Sequence, residues 1–140
     1  MSWDLLILNS IEPVDFEKEN WEDFESTKYV ADRIKKTFPE SIWTDFSWGN
    51  LENKYADIEF NLGKENDCGN NFIIHVRGGI NPITEIVRMC KENSWIAYDM
   101  SKESFVDLEK PDSDGYEKWK KFRNKTFEEE MKSKKPWWKF

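Results

Sequence analysis

Between Ala56 and Leu62 the chain alternates strictly. Ala56, Ile58, Phe60 and Leu62 are apolar, and Asp57, Glu59 and Asn61 between them are polar. That is the two-residue period of a strand with one buried face. Beyond a polar loop, Phe72, Ile74 and Val76 alternate with Ile73, His75 and Arg77. The two runs predict an antiparallel hairpin over residues 57–79. One side buries Ile58, Phe60, Phe72, Ile74 and Val76, and the other carries Glu59, His75 and Arg77.

The flanking segments follow other periods. Residues 3–9, W-D-L-L-I-L-N, are nearly all apolar, which predicts a central strand covered on both faces. From Phe24 to Phe38, Phe24, Thr27, Ala31, Ile34 and Phe38 recur at three- and four-residue spacings, which predicts a helix. Asn20 or Ser26 is its candidate N-cap, and Pro39 stops it. Asn81-Pro82 opens a second helix with the stripe Ile83, Ile86, Val87 and Cys90. Residues 95–100 read as a strand, and 104–109 as a short strand or edge piece. A third helix is expected from about Gly115 to about Lys132, striped by Tyr116, Trp119, Phe122 and Thr126. Its bases precede Glu128, Glu129 and Glu130, an order that opposes the helix dipole. The segment 41–51 reads as a connection carrying Trp43 and Trp48, which either cover one end of the core or serve as anchors of a protein interface.

Strand, helix, strand, strand, helix, strand is the split β-α-β-β-α-β order. The expectation is an α/β (α+β) fold, a ferredoxin-like four-stranded antiparallel sheet with both helices on one face, plus a C-terminal helix. A simpler mixed sandwich with the same order is the alternative. At 140 residues the chain is expected to form a single domain, 1–140. Its core spans 1–109, and 110–140 holds the third helix and the tail K-K-P-W-W-K-F. That tail either packs or exposes Trp137 and Trp138.

Charge changes this picture more than composition does. The net charge is −7, and it is uneven: residues 1–60 hold 14 acids and 6 bases, residues 61–140 hold 14 acids and 15 bases. Seven acids, Glu12, Asp15, Glu17, Glu19, Glu22, Asp23 and Glu25, fall in residues 10–25 against Lys18 alone. A solvated acidic loop accounts for such a run, and so does a docking surface for a basic protein. An acidic half disfavours a phosphate backbone as partner, so nucleic acid is not expected. No apolar run reaches the length of a membrane span and the N-terminus lacks a basic leader region, so a cytoplasmic protein without membrane association is expected. Cys68 and Cys90 are then expected as free thiols.

One histidine and two distant cysteines do not make up the usual zinc ligand sets, so no metal is expected, and no motif implies a cofactor. R-G-G-I-N-P before the second helix is the nearest thing to an anion-holding turn, but a plain structural turn is the favoured reading of it. Glu59 beside His75 is the one candidate acid–base pair. No motif places a nucleophile near it, so no catalytic residue is assigned.

Five stretches together resemble a family of small bacterial immunity proteins. They are M-S-W-D-L-L-I-L-N, F-P-x-x-x-W-T-D-x-x-W-G from Phe38 to Gly49, I-E-F-N-L-G, H-V-R-G-G and W-I-A-Y-D-M. Such proteins accompany the toxins of contact-dependent growth inhibition and other polymorphic toxin systems. The resemblance covers Met1 to Glu109. It implies a cytosolic, non-enzymatic protein that binds and neutralises one cognate toxin domain, and it supplies no catalytic residue. A basic nuclease toxin would meet the acidic half with complementary charge. The expected partner-binding residues are Asp15, Glu17, Glu19, Glu22, Asp23, Trp43, Asp45, Trp48, Glu59, His75 and Arg77. The tryptophans would serve as anchors inside an acidic rim. The alternative is a regulatory module that binds a small anionic ligand through His75 and Arg77.

Overall fold

The computed structural model describes residues 2–18 and 20–133. Glu19 and the tail with Trp137 and Trp138 lie outside the described residues, as do the side chains from Thr126 onward. The fold is α+β: three helices and one seven-stranded antiparallel sheet. The strands are β1 (Trp3–Leu8), β2 (Ile42–Asp45), β3 (Trp48–Glu52), β4 (Asp57–Asn61), β5 (Asn71–Gly78), β6 (Ile96–Asp99) and β7 (Ser104–Phe105). The helices are α1 (Thr27–Thr37), α2 (Pro82–Asn93) and α3 (Asp114–Ser133).

The sheet order is β2-β3-β4-β5-β1-β6-β7. The ferredoxin-like sheet expected from the sequence is therefore not what forms. The segment read as a connection folds into a hairpin, β2-β3, which extends the sheet past β4. At the opposite edge β7 pairs with β6 over only two residues, Ser104 and Phe105. The predicted hairpin is present as β4 and β5, with Glu59 opposite His75 and Phe60 opposite Ile74. The first strand is interior, between β5 and β6, but it is not covered on both faces as its apolar run predicts: Asp4 and Leu6 stand half-buried on the side away from the core.

One face of the sheet holds the core. Trp3, Leu5 and Ile7 of β1, Ile58 and Phe60 of β4, and Phe72, Ile74 and Val76 of β5 are all buried there. Val30, Ala31 and Ile34 of α1 and Ile83, Ile86 and Met89 of α2 close over them. Each of these helices carries the apolar stripe that its spacing predicts. Ser26 is the N-cap of α1 and accepts a hydrogen bond from the Tyr29 amide at 3.0 Å. Pro82 opens α2, but the Asn81 side chain makes no capping bond.

α3 attaches at one end through Tyr116, which is 1% exposed. Its ring lies 5.5 Å from that of Trp3, and its hydroxyl donates to the Gly79 carbonyl at 2.6 Å. The same turn explains the glycine. Gly79 has φ +117°, and a Cβ there would fall 2.3 Å from the Tyr55 carbonyl oxygen. R-G-G-I-N-P is thus accounted for by close packing of backbone on backbone.

Candidate functional site

Among the described residues no helix covers the second face of the sheet, and the cross-strand register sets what stands on it. Partners directly opposite share a face. One row runs Ile42, Asn50, Glu59, His75, Asp4 across β2, β3, β4, β5 and β1. The next runs Trp48, Asn61, Ile73, Leu6, Tyr98, Phe105 from β3 to β7. The first row is mostly polar and the second mostly apolar. Ile42 is 76% exposed and Trp48 42%, while Leu6, Ile73, Tyr98 and Phe105 are half-buried.

Hydrogen bonds to carboxylates tie the polar row together. His75 Nδ1 lies 2.7 Å from Asp4 Oδ1 and donates to it. The Ser2 hydroxyl also donates to that oxygen and stands 3.4 Å from Nδ1. Arg77 donates to Glu59 Oε2 at 2.7 Å. The expected Glu59–His75 pair therefore does not form. The two are cross-strand neighbours, but each has taken a different partner. Asp4 is the acid that the sequence reading missed. Its signal was a lone carboxylate in an apolar strand, and only the pairing of β1 with β5 shows where it points.

Serine, histidine and aspartate converge here without the geometry of a nucleophilic triad. In such a triad the serine bonds to the imidazole nitrogen remote from the carboxylate. Here both hydroxyl and imidazole are spent on one carboxylate oxygen, on the same side of the ring. For the anion-binding alternative, His75 and Arg77 would each have to leave a carboxylate partner, Asp4 and Glu59 respectively. No group of three or more metal-ligating side chains occurs among the described residues.

Acids outnumber bases around this face. Glu52 pairs across the sheet with Asp57, beside Glu59 and Arg77. Burial pushes the Asp57 carboxyl above its ordinary range, and Glu52 and Glu59 add to this against the opposing pull of Arg77. The acidic segment folds onto the far end. Phe16 packs on Tyr98 at 4.9 Å and stacks on Phe105 at 5.8 Å. Trp21 Nε1 donates to the Asn70 carbonyl at 2.9 Å. Asp15 and Glu17 beside Phe16, and Glu22 and Asp23 beyond Trp21, are all exposed. Asp15 accepts from the Glu17 amide, and the Glu22 and Asp23 carbonyls accept from the Asn9 side chain.

The two tryptophans part company. Trp48 stands on the helix-free face. Trp43 lies against the core, stacked on Phe60 at 5.8 Å with an 8° angle between planes, its Nε1 donating to Ser41 Oγ at 2.9 Å. Trp43 is thus a core cover, the first of the two roles expected of it, and of the two expected anchors only Trp48 stands exposed. Asp45 is exposed at the end of β2 and accepts from the Ser47 hydroxyl and amide, which hold its carboxyl below the usual range. Cys68 and Cys90 are free thiols, and burial pushes that of Cys90 up to about 12.

No protein-family model, no curated protein and no solved structure matches this chain. Among the described residues no helix is long and apolar enough to cross a membrane.

Proposed function

We propose that this chain is an immunity protein that binds a cognate bacterial toxin domain in the cytosol and neutralises it, most simply a basic nuclease. It acts by occupancy, without turnover. The observation that carries this reading is the placement of the acids. Residues 1–60 hold 14 acids against 6 bases, and Asp15, Glu17, Glu22, Asp23, Asp45 and Glu52 are exposed rather than spent in the core. An enzyme that grips phosphates is positively charged. An acidic inhibitor meets it with complementary potential, which speeds association and selects the partner.

The test is co-expression with the toxin domain encoded immediately upstream. Cells making both should grow, and the two chains should elute together as one complex. Reversing the charge of Glu17, Glu22 and Asp23 should slow association and flatten its salt dependence. Death of the co-expressing cells, or separate elution of the two chains at low salt, would overturn the proposal.

A further inference from the structure

The helix-free face departs from what a solvated antiparallel face carries. Such a face alternates with the core positions and is polar. Here Leu6, Ile73, Trp48 and Ile42 occupy positions on the solvent side of their strands. Exposed apolar residues scattered singly are ordinary, but an apolar band rimmed by charge marks an interaction site. The row from Trp48 to Phe105 crosses six strands, about 24 Å at the usual strand spacing, and is apolar throughout except at the exposed Asn61 on β4. The acids Asp4, Glu52, Asp57 and Glu59 line one side of it, offset by the single pairs to His75 and Arg77. Phe16 brings the acidic loop to its other end.

We infer that this face is where the toxin domain docks, and that the toxin meets it with an apolar patch framed by Lys and Arg side chains. The inference rests on the proposed function and names the surface that performs it. Trp48 is the anchor, a rigid aromatic ring already raised above the sheet. Leu6 and Ile73 form the floor beneath the partner's apolar patch. Glu52, Asp57 and the acidic loop take its cations, which relieves the crowding of carboxylates around Arg77. The helices α1 and α2 stay clear of the partner.

The experiment follows side-chain methyl resonances of the chain as the upstream toxin domain is added. The Leu6 and Ile73 methyls should shift, while those of Ile83 and Ile86, on the inner face of α2, should not. Trp48→Ala should weaken binding roughly 30-fold or more, chiefly by faster dissociation. Glu52→Lys should slow association. Phe122→Ala, an exposed aromatic on α3, should leave affinity unchanged. A complex in which only the helix-side methyls shift, or which Trp48→Ala leaves as tight, overturns the docking face and leaves the proposed function standing. Absence of any complex removes both. If the free chain sediments as a dimer through Leu6 and Ile73, or if deleting residues 134–140 shifts those methyls in the free chain, the face has another occupant and the inference fails.

Discussion

Gly49 holds the β2-β3 hairpin to the core through an atom it lacks. It lies opposite Trp43 in the ladder, and a Cβ built on it would stand 2.5 Å from Cδ2 and Cε2 of the indole. Carbon atoms in contact need about 3.5–4.0 Å, so Gly49→Ala forces the ring about 1 Å or more from its seat. The ring would leave its stack on Phe60 and strain its bond to Ser41. Overpacking of this kind costs about 1–3 kcal/mol. Replacing a strand glycine by alanine returns about 0.5–1 kcal/mol of backbone entropy, because no unusual backbone angle is at stake. The net loss is about 1–2 kcal/mol. At about 2.1 cal/mol/K per residue, a chain of this length should lose roughly 3–7 °C in Tm. Denaturant melts of the single and double variants isolate the cause. In a Trp43→Ala background, Gly49→Ala should cost nothing or stabilise slightly, a coupling of about 1.5–3 kcal/mol. An equal loss with and without the indole would refute the packing argument and place the effect in the backbone.

Gly79→Ala should be harsher. It combines a positive φ of +117° with a Cβ 2.3 Å from a backbone oxygen that cannot swing aside, so a loss of about 3 kcal/mol or more is expected, read as low yield and an early melt. Asp4→Asn removes the charged acceptor of His75 in a pair whose side chains are 23% and 41% exposed, so its effect should stay near 0.5–1.5 kcal/mol by denaturant melt. Cys90 supplies a pH prediction. Its thiol ionises near 9 in the unfolded chain and only at about 12 in the fold. Stability is therefore unaffected below pH 9 and falls above it by about 1.4 kcal/mol per pH unit, as the unfolded state alone loses the proton. Cys90→Ala should flatten that slope in melts between pH 9 and 11, and native Cys90 should resist thiol reagents at pH 8.

Periodicity made the helices, the β4-β5 hairpin and β1 legible, because each hides one continuous apolar stripe. What it concealed was strand number. S-I-W-T-D-F-S-W-G-N-L shows no clean alternation, so residues 41–51 looked like a connection. Edge strands tolerate such mixing, since half of what they present meets solvent. β2 is exposed at Ile42, Thr44 and Asp45, so burial left no signature there. The same limit hid Asp4. Alternation says which residues of a strand share a face, but the partner across the ladder depends on register. His75 faces Asp4 on one side and Glu59 on the other, and only the sheet order shows that Arg77 takes Glu59.

The tryptophans show how much one backbone irregularity decides. In a regular hairpin with Asp45 opposite Trp48, Thr44 would face Gly49 and Trp43 would face Asn50. Trp43 would then stand on the helix-free face beside Trp48. The ladder instead slips between Trp43 and Asp45, placing Trp43 opposite Gly49. That extra residue is a bulge, and a bulge turns the side chains beyond it to the other face. Trp43 is thereby sent onto Phe60, and Gly49 is the partner small enough to receive it. Core cover and exposed anchor are thus divided between two identical residues by a single slip in register. Deleting Thr44 should remove the bulge yet keep the division: Trp43 would directly precede Asp45, still opposite Gly49, with its ring on Phe60 and its fluorescence little changed. A red-shifted tryptophan emission and an early melt of the hairpin in that deletion would show that Thr44 is not the residue that absorbs the slip.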